Sequence, residues 1–231
     1  MIIAPPAQPT AIAFHDPSHG VLGTTRDIEL TSDGGRTWRI VVRTPRPVVS
    51  ISYDDDGRLR AVLDDGENLG GPRFRPEHPV EQLSPCPAGV SRTVRSDDWF
   101  LCIGQGSAGS GEKAVYRVTT HGVKRLAWAL LGPTLASHGI TSQGYAVGMA
   151  MAHDGFGIIW ESRGPLLVTR DGGSHWLALP RIGVPEVDFG LSGAALPGGR
   201  AWVLLARNAT RRRLLATTDR GRTWHVVHHW P

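Results

Sequence analysis

Three segments of this chain repeat one pattern, and this repetition constrains the fold more than any other feature of the sequence. The shared frame is Thr-x-Asp-x-Gly-x-Thr-Trp, with His replacing the second Thr in one copy, at residues 31–38, 169–176 and 217–224. A segment that recurs at a fixed period indicates a repeat architecture, in which each copy belongs to one unit that packs against its neighbours. The spacing of the copies therefore predicts how many units the chain forms.

That spacing predicts five units. Asp33 and Asp171 are 138 residues apart, which is three periods of 46, and Asp171 and Asp219 are 48 apart. Degenerate copies are expected in the interval between Asp33 and Asp171, and residues 63–68 and 118–128 resemble the frame in part. A chain of 231 residues accommodates five such periods.

Each unit is predicted to contain four short strands. Glycine (29 residues) and proline (17 residues) are abundant, which is typical of short strands joined by turns. Four antiparallel strands repeated around an axis form the blades of a β-propeller, an arrangement that protects strand edges. Strands are predicted at 11–15, 20–24, 27–31 and 37–43 in the first unit, and at 187–196, 201–206, 213–218 and 223–229 in the last.

The predicted fold is therefore all-β, a single β-propeller of five four-stranded blades. Residues 1–9 are predicted to form an N-terminal linker, and residues 10–231 the propeller domain. The predicted blades are 10–46, 47–83, 84–135, 136–182 and 183–231.

The repeated motif resembles the Asp box of the bacterial neuraminidase repeat, and the chain is similar to that family over nearly its full length. The family includes sialidases, other glycosidases, sorting-receptor ectodomains and photosystem-assembly-type binding proteins. The resemblance thus implies a propeller with Asp-box turns between strands three and four, and it leaves the activity open. In such a turn the Asp accepts backbone hydrogen bonds, the Gly adopts a positive φ and the Trp packs on its blade. Structural roles are predicted for Asp33, Gly35, Trp38, Asp171, Gly173, Trp176, Asp219, Gly221 and Trp224.

The ligand site is predicted on the face opposite the box turns. Ligands of propellers usually bind among the loops between strands two and three and the connections to the next blade. Arginines with a few carboxylates in these loops suit an anionic or sugar ligand. The ligand-binding candidates are Arg26, Arg46, Trp160, Arg163 and Arg207, and Trp99 and Tyr145 are further aromatic candidates for contact with a glycan.

Three functional classes fit these residues. The first is a binding module that recognises a glycan, a small anionic ligand or a protein partner. The second is a glycoside hydrolase or lyase that uses the carboxylates Asp27, Glu161 and Asp188 as catalytic residues. The third is an assembly or stability factor for a protein complex. A sialidase is disfavoured, because the Phe/Tyr-Arg-Ile-Pro motif of sialidases is missing and no tyrosine matches their nucleophile.

Composition argues against several other partners. Of the 25 basic residues 23 are arginine, which indicates codon bias, and no basic face with interleaved aromatics predicts nucleic-acid binding. No apolar segment is long enough to span a membrane. His225, His228 and His229 do not share one strand face, so no metal site is predicted. No cofactor is predicted, and the expected state is a monomer.

The two cysteines leave a disulfide open. A hairpin near residue 97 would place Cys102 opposite residue 92, so a direct cross-strand bridge to Cys86 is not expected, but the segment 84–88 could fold back to reach it. Residues 1–10 lack the features of a signal peptide. An extracytoplasmic location with the leader absent from this chain is favoured, and a cytoplasmic one is the alternative.

Overall fold

The computed structural model describes residues 7–53, 59–63, 68–70, 75–76, 85–87, 90–96, 98–119, 122–131, 136–179, 189–206 and 211–230. Over these residues the chain forms strands and no helix. The strands are β1 (Pro9–Phe14), β2 (Gly20–Thr24), β3 (Asp27–Thr31), β4 (Arg39–Arg43), β5 (Val48–Tyr53), β6 (Leu59–Leu63), β7 (Asn68–Gly70), β8 (Arg75–Pro76), β9 (Arg92–Ser96), β10 (Trp99–Ser107), β11 (Ser110–Thr119), β12 (Gly122–Leu130), β13 (Ala136–His138), β14 (Tyr145–Met151), β15 (Gly157–Ser162), β16 (Leu166–Thr169), β17 (Leu177–Leu179), β18 (Phe189–Leu196), β19 (Arg200–Ala206), β20 (Arg212–Thr217) and β21 (His225–Trp230).

The described strands form five antiparallel sheets, each built from consecutive strands. Sheet 1 is β1–β4, sheet 2 is β5–β8, sheet 3 is β9–β13, sheet 4 is β14–β17 and sheet 5 is β18–β21. The predicted all-β class is confirmed. The strands predicted at 20–24 and 27–31 coincide with β2 and β3.

Sheet 3 departs from the predicted pattern of four strands. β13 lies where the fourth unit was predicted to begin, yet it pairs with β12 through Ala129–Ser137 and Leu130–Ala136. Sheet 4 begins only with β14 at Tyr145. The four-stranded prediction is therefore wrong for sheet 3, where the fifth strand covers an outer edge that would otherwise expose unpaired backbone groups.

The second strands of the sheets are buried on both faces. Ile158 and Ile159 are consecutive on β15, so their side chains point to opposite faces, and both are fully buried. Ile158 belongs to an apolar cluster between sheets 4 and 5, and Ile159 to one between sheets 3 and 4. A nearly continuous apolar strand thus reflects a sheet that is packed between two others.

Similar clusters join sheet 1 to sheet 2 and sheet 5 to sheet 1. In the second of these, Trp202 of β19 stacks on Phe14 of β1 with ring centroids 3.9 Å apart. The Trp202 indole Nε1 also donates a hydrogen bond to the Gly34 carbonyl at 3.3 Å. The last sheet of the chain therefore packs directly on the first.

The first strands of all five sheets contribute residues to one cavity, called the central cavity below. Each of them, β1, β5, β9, β14 and β18, lies at the end of its sheet and has one edge without a partner in that sheet. Residues from all five line a cavity of about 630 Å³. The cavity is therefore bounded by backbone edges as well as by side chains.

Hydroxyl groups satisfy part of these edges. Ser192 Oγ accepts a hydrogen bond from the Ile12 amide at 2.9 Å, and so links β18 to β1. Ser96 Oγ accepts one from the Met151 amide at 2.7 Å, which links β9 to β14. Thr10 Oγ1 donates to the Val48 carbonyl and links β1 to β5. Side chains thus provide partners for backbone groups that have none within their own sheet.

Candidate functional site

The three repeated turns share one hydrogen-bond network. In the first, Asp33 Oδ1 accepts from Thr31 Oγ1 at 2.8 Å and from the Thr37 amide at 2.9 Å. Asp33 Oδ2 accepts from Thr37 Oγ1 at 2.6 Å. Asp219 accepts the equivalent bonds in its own turn. Asp171 does so as well, except that the His175 ring nitrogen Nδ1, at 2.7 Å from Asp171 Oδ2, takes the place of the second threonine hydroxyl. The sequence frame therefore corresponds to one recurring turn.

These bonds hold the box carboxylates in their ionised form. Hydrogen bonds from the Thr37 side chain and backbone, followed by that from Thr31, lower the pKa of Asp33 to about 2. The Thr223 side chain and backbone likewise lower the pKa of Asp219. Because their oxygens are engaged by their own turns, these carboxylates are poorly placed to act on a ligand.

The tryptophan of each box connects two sheets. Trp38 packs in the cluster between sheets 1 and 5, Trp176 in that between sheets 4 and 3, and Trp224 in that between sheets 5 and 4. The sequence placed each Trp on strand four and against its own blade. Each lies directly before strand four, and Trp38 also packs on its own sheet, with its ring centroid 6.3 Å from that of Phe14.

The central cavity is a concave feature that the repeated turns do not line. Its lining combines apolar side chains with polar groups, among them the hydroxyl-bearing residues Ser50, Ser52 and Ser192. The charged residues among the described lining are Arg92 and Arg95, both on β9. The cavity wall therefore carries positive charge, and two arginines favour an anionic ligand.

Arg92 is the better placed of the two arginines. It is the first residue of β9 and pairs with Ile103, so it lies at the end of the cavity that faces the β10–β11 hairpin. Its side chain is exposed, and within the described chain its guanidinium has no ion-pair or hydrogen-bond partner. The Arg95 guanidinium lies 5.6 Å from the centre of the Phe100 ring. Arg92 can therefore accept an incoming anion without breaking an existing contact.

Of the sequence-predicted ligand residues, Trp160 lines the cavity and three arginines do not. Arg26 and Arg46 lie in loops after β2 and β4, and Arg163 lies in the β15–β16 hairpin with a φ of 56°. None of these three is among the described residues that line the cavity. Arg207 is outside the described residues.

The predicted exposed aromatics are mostly buried. Trp160 lines the cavity but is only 7% exposed, because its ring is wedged against Gly148 on β14 and Gly190 and Gly193 on β18. Trp99 is buried as well and donates from its indole to the Gly172 carbonyl at 2.8 Å. The prediction of exposed aromatic rings at the mouth is therefore wrong for both tryptophans.

The catalytic candidates do not converge either. Asp27 is buried on β3 of sheet 1, with Oδ1 lying 3.4 Å from Arg43 Nη1. Glu161 lies on β15 of sheet 4, and neither residue is among the described lining of the cavity. Asp188 is outside the described residues. The described geometry therefore provides no carboxylate pair at a shared pocket, as glycoside hydrolysis would require.

Glu161 is instead half of a buried ion pair. Its Oε1 contacts Lys113 Nζ, and both side chains are fully buried. Lys113 Nζ also donates to the Gln143 carbonyl at 2.9 Å. Burial raises the pKa of Glu161 to about 7 and lowers the pKa of Lys113. The pair joins sheets 3 and 4 and fixes the segment that leads into β14.

A disulfide joins Cys86 to Cys102, with their Cα atoms 5.5 Å apart. Across the β9–β10 ladder Cys102 pairs with Thr93, whereas the predicted partner was residue 92. Because Cys86 lies outside β9, the bridge does not join two paired strand residues. The segment before β9 folds back onto β10 instead. The bridge therefore constrains the chain close to Arg92.

Other candidate features have local roles. His228 Nδ1 lies 3.0 Å from the Arg36 carbonyl, and its ring lies 4.4 Å from that of Trp230. In the part of the chain that the structure describes, no three His, Cys, Asp or Glu side chains are arranged to hold a metal ion. The same part contains no helix of the length and apolarity needed to cross a bilayer.

Sequence reasoning missed Arg92 because an arginine at the start of a strand resembles any exposed strand residue. Its place in the first strand of a unit is the signal that could have identified it, because the first strands line the cavity.

No protein-family model matches the chain, and no curated protein matches it significantly. Solved structures similar to it include YCF48 bound to D1 peptide, with 18% identity over 95% of this chain and 82% of that chain and a TM-score of 0.40. A second is the gluconolactonase XC5397 from Xanthomonas campestris, with 12% identity, 85% and 82% coverage and a TM-score of 0.47. A third is Hsv2 from Kluyveromyces lactis, with 9% identity, 97% and 99% coverage and a TM-score of 0.43. Likeness at this level carries no argument about what this chain binds.

Proposed function

We propose that this chain is a five-bladed β-propeller of the Asp-box type that binds a small anionic ligand at the central cavity. The observation that supports the ligand class is Arg92, an exposed cation without an ion-pair partner in the described chain, on the wall of a cavity of about 630 Å³. A cavity of this volume is within the range of small-molecule sites. A guanidinium matches the geometry of carboxylate and phosphate groups.

The other partner classes have less support. A neutral glycan would be expected to stack on exposed aromatic rings, whereas Trp99 and Trp160 are buried. A protein partner or a role in assembly would use the outer surface, where no described feature selects a particular partner. The Cys86–Cys102 disulfide supports a place outside the cytoplasm, because disulfides persist in oxidising compartments.

Calorimetric titration of the full chain with phosphate, glucuronate and octanoate tests the anion site. At least one of these anions is expected to bind, and Arg92→Gln is expected to weaken that binding about tenfold or more, the loss typical of a hydrogen bond to a charged group. Arg39→Gln is the matched control, since Arg39 is an exposed arginine on the outer strand β4. The absence of binding by all three anions, or equal binding by parent and Arg92→Gln, would contradict the proposal.

A further inference from the structure

Four of the five first strands carry an irregularity at the same place. The register of each with its second strand shifts by one residue, and the extra residues are Thr10 on β1, Val49 on β5, Val147 on β14 and Leu191 on β18. A β-bulge of this kind leaves one residue unpaired and redirects its side chain. β9 pairs with β10 without such a shift.

The bulges give one end of the cavity an apolar wall. Val49, Val147 and Leu191 all line the cavity, and Val49 is 53% exposed although it is apolar. Thr10 differs, because its hydroxyl donates to the Val48 carbonyl. On β9, the one first strand without a bulge, the cavity is lined by Arg92, Val94, Arg95 and Ser96.

These residues lie at the same end of the cavity. Each bulge comes after the first one or two residues of a first strand. These initial residues pair with the last residues of the second strand in the same sheet. In sheet 1, for example, Pro9 pairs with Thr24, the last residue of β2. Arg92 likewise is the first residue of β9, and its partner Ile103 is the middle residue of β10, beyond which the chain continues to the β10–β11 hairpin. One end of the cavity therefore combines three apolar side chains with one cation, on the side opposite the Asp-box turns.

We infer that the ligand is a monocarboxylate with an apolar body. This inference rests on the proposed anion site and specifies its ligand. The carboxylate pairs with Arg92, while the body lies against Val49, Val147 and Leu191 and shields them from water. A sugar acid satisfies the arginine equally well but places its hydroxyl groups against an apolar wall, where they lose hydrogen bonds to water.

A chain-length series on the full chain tests the inference. Calorimetric titration with butyrate, hexanoate and octanoate is expected to show affinity rising by about fourfold per methylene group until the cavity is filled, the gain typical of one buried methylene. Glucuronate is expected to bind more weakly than octanoate. Val49→Thr preserves the shape of the side chain at an exposed position, and it is expected to weaken octanoate binding by about fourfold.

The outcomes separate this inference from the function on which it rests. A flat series, or glucuronate binding as tightly as octanoate, with both still dependent on Arg92, overturns the apolar body and leaves the anion site in place. Binding of the whole series without dependence on Arg92, or no binding by any acid, overturns the anion site itself. Equal octanoate binding by the parent and Val49→Thr also counts against the apolar wall.

Discussion

The carboxyl group of Glu161 shows how closely single residues are fitted in this chain. A Cβ atom at Gly144 or at Gly164 would overlap Glu161 Oε2, so both positions require glycine while the carboxyl group occupies this space. Oε1 contacts Lys113, whereas Oε2 is buried without a hydrogen-bond partner. Such an arrangement makes the protonated form of the acid more favourable in the folded chain than in water.

This enclosure predicts that stability falls as pH rises through the range of about 4.5 to 7. The unfolded chain releases the Glu161 proton near its ordinary pKa of 4.5, whereas the folded chain retains it until about pH 7. The folded state therefore binds more protons across that window, and the free energy of unfolding declines as pH increases. Urea denaturation at several pH values between 5 and 7 measures the slope.

Glu161→Gln is expected to flatten this dependence, because an amide does not titrate. Asp33 has the opposite pH dependence and titrates outside this window. Its lowered pKa contributes stability that is lost only as pH falls below about 3.8 towards about 2. An unchanged slope between pH 5 and 7 in Glu161→Gln would rule out this residue as its source.

At the scale of elements, β10 is the most heavily constrained strand described. It pairs with β9 on one side and β11 on the other, and Cys102 within it is bridged to Cys86. The bridge closes a segment with a sequence separation of 16 residues. It thereby holds the chain that leads into β9, the strand that carries Arg92.

Removal of this bridge is expected to cost about 3 kcal/mol of stability, the value typical of a closed loop of this length. The variant Cys86→Ser/Cys102→Ala and the reduced parent should unfold at similar urea concentrations, both well below the oxidised parent. Dithiothreitol should have no effect on the double variant. A midpoint for the oxidised parent that does not change on reduction would show that the bridge does not stabilise the fold.

Sequence reasoning predicted some elements and missed others for identifiable reasons. The three repeated turns and the strands around them were predictable, because Asp33, Asp171 and Asp219 each form a short local hydrogen-bond network. β13 was not predictable, because a strand of three residues is too short to show the alternation of apolar and polar residues that identifies a strand. The burial of Trp160 was missed because it depends on glycines of β14 and β18 that approach only in the folded molecule. Arg92 was missed because its place on the cavity wall depends on how five sheets are arranged.

At the scale of the whole molecule, the contact between sheets 5 and 1 joins the beginning and the end of the described chain. Phe14 stacks on Trp202, and Trp38 packs in the same cluster. His228 adds a contact to the Arg36 carbonyl at 3.0 Å. The stability of the whole arrangement therefore depends on a few aromatic side chains at this interface.

Trp202→Ala is expected to destabilise the molecule by about 3–5 kcal/mol, because it leaves a cavity between two sheets. The matched control is Trp128→Ala on β12, since Trp128 is only partly buried and should cost less. Urea denaturation followed by circular dichroism measures both variants. Equal losses for the two would indicate that the contact between sheets 5 and 1 contributes little.

The same interface has a consequence for synthesis on the ribosome. Gly34 accepts its hydrogen bond from a tryptophan 168 residues further along the chain. The first sheet is made early, but one of its two apolar faces stays uncovered until β19 has emerged. During that interval Phe14 and Leu22 are available to other apolar surfaces, including those of a second nascent chain. Delayed covering of the first unit therefore leaves this face open to chaperones, or to exchange of sheets between chains, for most of translation.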